Sequence, residues 1–484
     1  MADGSAIGMS VEIAINPVTR IEGHAKITIH LSEDGDVKEA RFHVTDFRGF
    51  EKFCEGRPFY EMPSLTSRIC GICPVSHLLT SAKACDSLLS VSIPETAILL
   101  RRLMHMGQII QSHALSFFHL SSPDILLGMD SDPSKRNIIG LMEKYPEIAR
   151  QGIRLRKYGQ SIIERLSGKR IHSSDWIIPG GVSTPLSRGE RDRMLAYLPE
   201  ALEITLNAIS MFKSVLNGLR QEVENFGNFP TYFMGLVTPE GHLEHYDGKI
   251  RVVTHEGRII ADQIDPTRYF EYIGEAVETW SYMKFPYYKP LGYPYGVYRV
   301  GPLARLNIIS RCGTPMADRE LEFFKSMGED GVVHDTFLYH YARLIEMLYC
   351  LEHAKHLLED PEILKNNIQA RAALNKREGV GACEAPRGTL YHHYKVDEEG
   401  RITWVNLVIA TVQNNLAFNR AVTQAARKYV DRKKLSEGML NRVEAMVRAL
   451  DPCLSCATHA WGEMPLRIQL SDSEGKLLDE VARG

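Results

Sequence analysis

Arg68-Ile69-Cys70-Gly71-Ile72-Cys73-Pro74-Val75-Ser76-His77 and, near the other end of the chain, Asp451-Pro452-Cys453-Leu454-Ser455-Cys456-Ala457-Thr458-His459 are the two stretches on which the reading of this sequence turns. A C-x-x-C spacing lets both sulfurs converge on one centre, because a short turn returns the chain to the same side. Thiolates are soft donors that favour zinc, copper(I), nickel or iron–sulfur sites over hard cations. One such pair alone is equally compatible with a redox dithiol, half of a zinc knuckle, or chance. Two pairs about 15–20 residues apart would read as a zinc ribbon. Here they stand at opposite ends of a large chain, which is poor economy for a small structural zinc module. The distribution fits a buried thiolate metal site where the N-terminal and C-terminal parts of one large fold meet.

The surrounding composition is that of a globular protein. The chain has 484 residues, 44% of them apolar and 24% charged, with a formal net charge of −3. That length allows two or three domains or one elaborate core. The near-neutral balance gives no basic field for nucleic acid or an anionic membrane surface, so neither is expected as a partner. No window reaches eighteen apolar residues without a charge, so no transmembrane span is expected. Met1 to Ser10 lacks the basic and apolar regions of a secretory signal. Nine cysteines, an odd number, are too few for a disulfide scaffold in so long a chain and read as free thiols or metal ligands in a reducing, cytoplasmic setting.

Hairpin signals and helical periodicity divide the chain. Lys26–Leu31 and Val37–Val44 flank an Asp34-Gly35 step, a strong hairpin signal. Further hairpins are expected over Lys249–Ile264 and around Asp397-Glu398-Glu399-Gly400, leading into Arg401–Ile409. Helices are expected over Pro94–Leu120, Pro146–Leu166, Ser187–Phe226, Met316–Glu359 and Phe418–Leu450, the last breaking near Leu435-Ser436-Glu437. Asn228–Gly301, rich in Gly, Pro and Tyr, reads as an ordered loop-and-hairpin insertion on a helical body. The expected class is mainly α with small β accessories (α+β), not alternating βαβ. No G-x-G-x-x-G follows a strand. The nearest run, Gly379-Val380-Gly381-Ala382-Cys383-Glu384, lacks the third glycine, so nucleotide binding by this chain is not expected.

Taken together, the motifs are specific. Asn16-Pro17-Val18-Thr19-Arg20-Ile21-Glu22-Gly23-His24, the Arg68–His77 stretch, Glu384-Ala385-Pro386-Arg387-Gly388 and Asp451–His459 occur in the order found in the large subunit of nickel–iron hydrogenases. The chain resembles that family from one end to the other. The likeness is closest to the hydrogenase subunit of soluble NAD-reducing (bidirectional) enzymes, through Arg48-Gly49-Phe50-Glu51-Lys52-Phe53, Gly71–His77 and Cys453–Ala460. It implies the nickel–iron hydrogenase large-subunit fold: a central long-helix bundle with an N-terminal β hairpin and peripheral hairpins. One domain would span 1–459, with a β region at 11–48, a helical body and an insertion at about 228–301.

The resemblance also implies roles. Cys70 and Cys453 would bind nickel terminally, and Cys73 and Cys456 would bridge nickel and iron, the iron also holding CO and CN ligands. Glu22 matches the first proton acceptor; without the family it would read as an ordinary ion-pair residue. Arg387 matches the arginine over the open metal position, against the bland reading of a surface arginine. Glu51 and His459 match the positions that hold Mg2+. Thr411 is placed near a cyanide, and His77 near a bridging thiolate, with a plain core histidine as its alternative. Cys54, Cys85, Cys312, Cys350 and Cys383 form no cluster spacing and read as buried small hydrophobes. Electrons would leave through a small subunit carrying an iron–sulfur cluster, and diaphorase subunits would bind FMN and NAD. Residues 460–484, with a short strand at Pro465–Leu470, match an extension that a maturation endopeptidase removes once nickel-insertion proteins have acted; the alternative is an ordinary terminal strand. Related complexes linked to NADP, deazaflavin or ferredoxin share the pattern. A complex I-like quinone-site subunit would have lost the cysteine pairs, and a zinc-stabilised structural protein would leave Glu22, Arg387 and the Asp451-Pro452 step unexplained.

Overall fold

Four long helices form a closed ring of neighbours: Glu95–Ala114, Pro146–Ser167, Arg188–Leu216 and Tyr339–Glu359, each packed on the next and the last returning to the first. The structure is a computed structural model that describes residues 12–32, 34–173, 175–431 and 435–458, together with the backbone of strands Leu466–Ser471 and Leu477–Arg483. Helix Pro146–Ser167 buries a stripe at Ala149, Gly152, Leu155, Tyr158, Gly159, Ile162, Ile163 and Leu166, the three-and-four spacing of a helix with one wet face. Helix Tyr339–Glu359 is buried without interruption from Tyr339 to Glu352; it is the central helix, and its polar side chains need partners inside the protein. With 51% helix and about 19% strand in small sheets, the chain is mainly α with β accessories. Among the described residues no helix is long and apolar enough to cross a membrane.

The β accessories lie where turn chemistry puts them. Strands Ala25–Leu31 and Val37–Val44 pair antiparallel, with Glu12–Ile15 added outside. Ile27, Ile29 and Phe42 face the core, as period-2 alternation requires, and the sheet packs on helix Asn415–Tyr429. Lys249–Val253 and Ile259–Ile264 form the second expected hairpin, within a four-stranded sheet that also holds Tyr232–Val237 and Tyr298–Arg299. Glu378–Ala385, Gly388–Val396 and Ile402–Val408 form a three-stranded antiparallel sheet, and its second turn falls at the expected Asp397–Gly400. The two C-terminal strands pair with each other.

Some boundaries differ from those read from sequence. Met316–Glu359 is two helices, Pro315–Ser326 and Tyr339–Glu359, separated by a turn in which Asp330 and Gly331 take positive φ. Pro94–Leu120 is α-helical to Ala114 and then widens into π-type turns at Leu115–Ser121 and Pro123–Leu127. Ser187–Phe226 is interrupted by a 3-10 turn at Asn217–Leu219. Phe418–Leu450 divides into Asn415–Tyr429 and Glu437–Leu450, with the Ser436 hydroxyl accepting from the Met439 N–H at the second N-terminus. Helix Pro74–Leu89 has no counterpart in the sequence reading. All of it is buried except Lys83 and Ser87, so it carries no amphipathic period to read.

The Gly379-Val380-Gly381 run, a near miss for a nucleotide loop, has a packing explanation. It lies in strand Glu378–Ala385 directly against helix Pro74–Leu89; a Cβ at Gly381 would sit 2.1 Å from the Thr80 carbonyl oxygen, and one at Gly379 2.5 Å from that of Ala84. Gly381→Ala therefore forces strand and helix apart and is expected to cost about 1–3 kcal/mol of stability. Gly189→Ala, in the first turn of helix Arg188–Leu216 where a Cβ meets nothing within 4 Å, serves as the control and should be neutral or slightly stabilising in the same denaturant titration. Equal midpoints for the two variants would contradict this packing account.

Candidate metal centre

Each cysteine pair is placed by a helix start. Pro74 begins helix Pro74–Leu89 immediately after Cys73, a position where the missing N–H of proline costs nothing. The backbone N–H groups of Ile72 and Cys73 point at the Cys70 sulfur, 3.2 and 3.4 Å away. Gln108 and Gln111, one turn apart on helix Glu95–Ala114, both donate to the Ile72 carbonyl and so pin this loop from the bundle side. Cys453 stands at the N-terminus of the short helix Leu454–Ala457, which carries Cys456.

The two pairs meet. Cys70 Sγ lies 3.2 Å from Cys453 Sγ, Cys73 Sγ 3.3 Å from Cys456 Sγ, and Cys453 Sγ 3.0 Å from Cys456 Sγ. All four sulfurs fall within 4.8 Å of one another, all are buried, and none is in a disulfide. Hydrogen bonds from the other three cysteines, Cys453 foremost, hold the Cys70 thiol well below its ordinary pKa. Its hydrogen bond with Cys456 pushes Cys453 well above. Four thiolates at this separation repel one another strongly in a dry interior. The set becomes fully ionised only around cations, and sulfur donors fit soft or borderline metals such as nickel and iron.

The N-terminal segment closes the site from one side. Leu454 N–H donates to the Glu22 carbonyl (3.2 Å) and Ser455 N–H to Glu22 Oε2 (2.9 Å), so Glu22 runs alongside Cys453 as an isolated parallel bridge. Gly23 has φ +83°, and a Cβ there would lie 2.6 Å from Leu454 Cβ; only glycine lets the two segments touch. Arg20 donates to Asp124 Oδ1 (2.5 Å) and the Leu120 carbonyl (2.7 Å), while Arg448 donates to Asp124 Oδ2 (2.8 Å) and the Thr19 carbonyl (2.9 Å). One buried aspartate thus ties the N-terminal segment to helix Glu437–Leu450.

Arg387 lines the cavity beside Cys73, Cys453 and Cys456. Its Nε donates to the Asp451 carbonyl (2.7 Å), Nη2 to Asp451 Oδ1 (3.0 Å) and Nη1 to Ser112 Oγ (3.2 Å). Asp451, two residues before Cys453, adopts φ +55°. Burial alone would lower the Arg387 pKa; the charges of Asp451 and the cysteines outweigh it and push it well above the usual arginine value. The backbone before Arg387 is gripped by Arg305, which donates to the Ala385 (3.0 Å) and Pro386 (3.1 Å) carbonyls, to Glu384 (2.7 Å) and to both oxygens of Glu346 (2.5 and 2.6 Å). Every N–H of that guanidinium is used.

The remaining expected residues fall as follows. Thr411 accepts from the Cys453 N–H (3.0 Å) and, with His77, Arg387 and Leu390, borders a small cavity beside Cys73, Cys453 and Cys456. Glu51 is buried; its Oε1 accepts from the Leu407 N–H (2.9 Å) and from Lys284 Nζ (3.0 Å), and Lys284 also lies 3.2 Å from Glu275. His459 lies outside the described residues. Cys54, Cys85, Cys312, Cys350 and Cys383 are buried, and burial pushes their thiols up, to about 12 for Cys54 and Cys383; they pack as small apolar groups. Ser112, Arg305, Glu346 and Lys284 are site residues that the sequence does not reveal. Nothing in their own neighbourhoods marks them, because each gains its role from a partner far along the chain.

Four buried, converging thiols define a thiolate metal site, and likeness to known proteins gives its family. The nickel-dependent hydrogenase model matches residues 48–139 and 243–459, and a HoxL-like model matches 12–47. The chain belongs to the nickel-dependent hydrogenases, as a large subunit, and is an oxidoreductase acting on H2 through a Ni-Fe centre. It is 42% identical over 490 residues to the beta subunit of the NAD-reducing hydrogenase HoxS of Cupriavidus necator, covering 98% of this chain and 100% of that one. It is also 42% identical, over 470 residues, to one subunit of the F420-non-reducing hydrogenase vhc of Methanococcus voltae, covering 96% and 98%. The crystal structure of an NAD+-reducing NiFe-hydrogenase in the H2-reduced state superposes with a TM-score of 0.90 at 47% identity, over 93% of this chain and 99% of that one. The Ni-Fe-Se hydrogenase of D. vulgaris Hildenborough shares the fold, with a TM-score of 0.76 at 22% identity over 93% and 100%.

The Arg305 clamp yields a stability prediction with a defined pH sign. Burial alone would raise the Glu346 pKa, but Arg305 outweighs it and holds the carboxyl well below its usual range. The contribution of Glu346 is therefore complete above the ordinary glutamate pKa and is lost as the pH falls toward the depressed folded value. Glu346→Gln leaves the buried Arg305 charge short of a partner and is expected to cost about 3–5 kcal/mol at neutral pH. In acid the gap from wild type should narrow. Denaturant titrations at several pH values would reveal a pH-independent gap if the account is wrong.

Proposed function

We propose that this chain is the H2-cleaving subunit of a cytoplasmic, NAD-linked hydrogenase complex, with Cys70 and Cys453 as terminal nickel ligands and Cys73 and Cys456 as sulfurs shared between nickel and iron. The observation that carries the reading is the four-sulfur cluster, with Glu22 bonded to the loop that carries Cys453 and Cys456 and Arg387 lining the cavity beside Cys73, Cys453 and Cys456. When bound, the Ni-Fe pair, its iron carrying CO and CN, supplies heterolytic cleavage of H2. Glu22 receives the proton. The Ser455 N–H orients its carboxylate beside the Cys453 loop, and a partly buried carboxylate is a suitable acceptor. Arg387 keeps a permanent positive charge on the cavity wall, because a guanidinium with these partners does not give up its proton. Thr411 accepts from the Cys453 N–H, which leaves its own hydroxyl proton available; with the Ni-Fe pair bound, it would serve a cyanide ligand of the iron.

Mg2+ belongs, on this reading, to Glu51 and His459. Glu51 and Glu275 both lie beside the ammonium of Lys284, and a carboxylate oxygen such as that of Glu51 suits Mg2+ as a ligand. Electrons pass to a small subunit with an iron–sulfur cluster and then to diaphorase subunits that bind FMN and NAD. Likeness to the NAD+-reducing enzyme, at 47% identity and TM-score 0.90, supports this acceptor. Equal identity to the F420-non-reducing relative of Methanococcus voltae supports a second reading in which partners serve another acceptor. Residues 460–484 are the extension that an endopeptidase removes after nickel insertion, and intact mass of the mature protein tests this: a mature chain retaining them contradicts it.

The functional reading is tested in the complex purified from its native host. Wild type should couple H2 to NAD+ reduction. Glu22→Gln should keep its nickel but lose turnover by at least about 100-fold, whereas Cys456→Ser should lose metal. Full activity in Glu22→Gln would remove Glu22 from the proton path. Nickel retained at wild-type level in Cys456→Ser would remove that sulfur from the ligand set.

A further inference from the structure

Behind the sulfur cavity runs a buried chain of hydrogen bonds that neither the Ni-Fe reading nor the ion pairs account for. His77, one turn into helix Pro74–Leu89, borders the cavity with Cys73 and Cys456. Its Nδ1 lies 3.1 Å from His392 Nε2; His392 Nδ1 lies 2.6 Å from the Tyr394 hydroxyl, which donates to Ser81 Oγ at 2.8 Å. His392 and Tyr394 sit two residues apart on strand Gly388–Val396, and Ser81 is one turn beyond His77 on the same helix, so the chain spans from helix to strand and back. His77, Ser81, His392 and Tyr394 are each at most 1% exposed.

Each link constrains the next. Burial keeps the Tyr394 hydroxyl protonated. Because Tyr394 donates to Ser81, its oxygen accepts from His392 Nδ1–H. In the tautomer this sets, His392 offers a lone pair at Nε2, which takes the Nδ1–H of His77. The second ring nitrogen of His77, Nε2, is then the one that can serve the cavity His77 shares with Cys73 and Cys456.

We propose that His392 and Tyr394 are positioning residues for the metal centre: through the chain Ser81–Tyr394–His392–His77 they fix the tautomer and ring plane of His77, and thereby the hydrogen bonding that the imidazole offers the sulfurs of Cys73 and Cys456. The inference rests on the Ni-Fe reading above. Hydrogen bonding around a ligand sulfur alters the electron density it gives the metal, and the CO and CN stretches of the iron report that density directly.

The experiment is an infrared spectrum of the complete complex under H2, for wild type, Tyr394→Phe, Ser81→Ala and Tyr391→Phe. Tyr391 carries an equally buried hydroxyl on the same strand, outside the chain, and controls for the loss of a buried oxygen. Tyr394→Phe should keep nickel and iron at wild-type content yet displace the CO and CN bands by more than their line width. Ser81→Ala should displace them less, and Tyr391→Phe not at all. Wild-type bands in both Tyr394→Phe and Ser81→Ala, or the same displacement in Tyr391→Phe, overturns the inference while the Ni-Fe reading stands. A metal-loaded wild type without CO and CN bands overturns the reading and the inference together.

Discussion

Four sulfurs packed within 4.8 Å of one another inside a protein core form an arrangement that a metal-free chain has little reason to build. Single thiols pack as small apolar groups, but the ionised forms of four repel across a low-dielectric interior. The rest of the fold serves to bring these sulfurs together from opposite ends of the sequence. The first pair hangs on the start of helix Pro74–Leu89 and is pinned to the bundle through Ile72. The second pair follows helix Glu437–Leu450 and is fastened to the N-terminal segment through Glu22.

Arginines, most of them buried, do most of the fastening. Arg20 and Arg448 share Asp124, Arg305 joins Glu346 and Glu384, and Arg387 holds Asp451. Such pairs gain little net stability once desolvation is counted. What they give here is direction, because a guanidinium fork fixes both the distance and the plane of what it holds. Each of the three clamps acts on backbone next to the site: Thr19, Ala385 and Pro386, and Asp451. Hydrophobic contact among the four bundle helices supplies the stable frame, and the arginines set the register of the loops laid upon it.

Much of this is legible in the sequence, for identifiable reasons. The C-x-x-C pairs, Glu22 and Arg387 sit in short local motifs, and the three hairpins are announced by Gly-containing turns at Asp34-Gly35, Glu256-Gly257 and Glu399-Gly400. Helix Pro74–Leu89 is hidden because burial on all sides erases the period that reveals an amphipathic helix. The break between Ser326 and Tyr339 is written in Gly328-Glu329-Asp330-Gly331, an Asp-Gly turn signal that the reading of one long helix passes over. Gly379 and Gly381 resemble a ligand loop because close helix packing and close ligand approach demand the same residue. Arg305, Glu346 and Lys284 carry no local signal at all, since what they do depends on residues that only the fold brings near.

The central claim is that the four cysteines hold nickel and iron together. Nickel K-edge X-ray absorption on the purified native complex tests it most directly. The account predicts a first shell dominated by sulfur with iron as a near neighbour, and a loss of that sulfur shell on Cys70→Ser. A nickel coordinated by nitrogen and oxygen alone, or a sulfur shell unchanged in the variant, would contradict it.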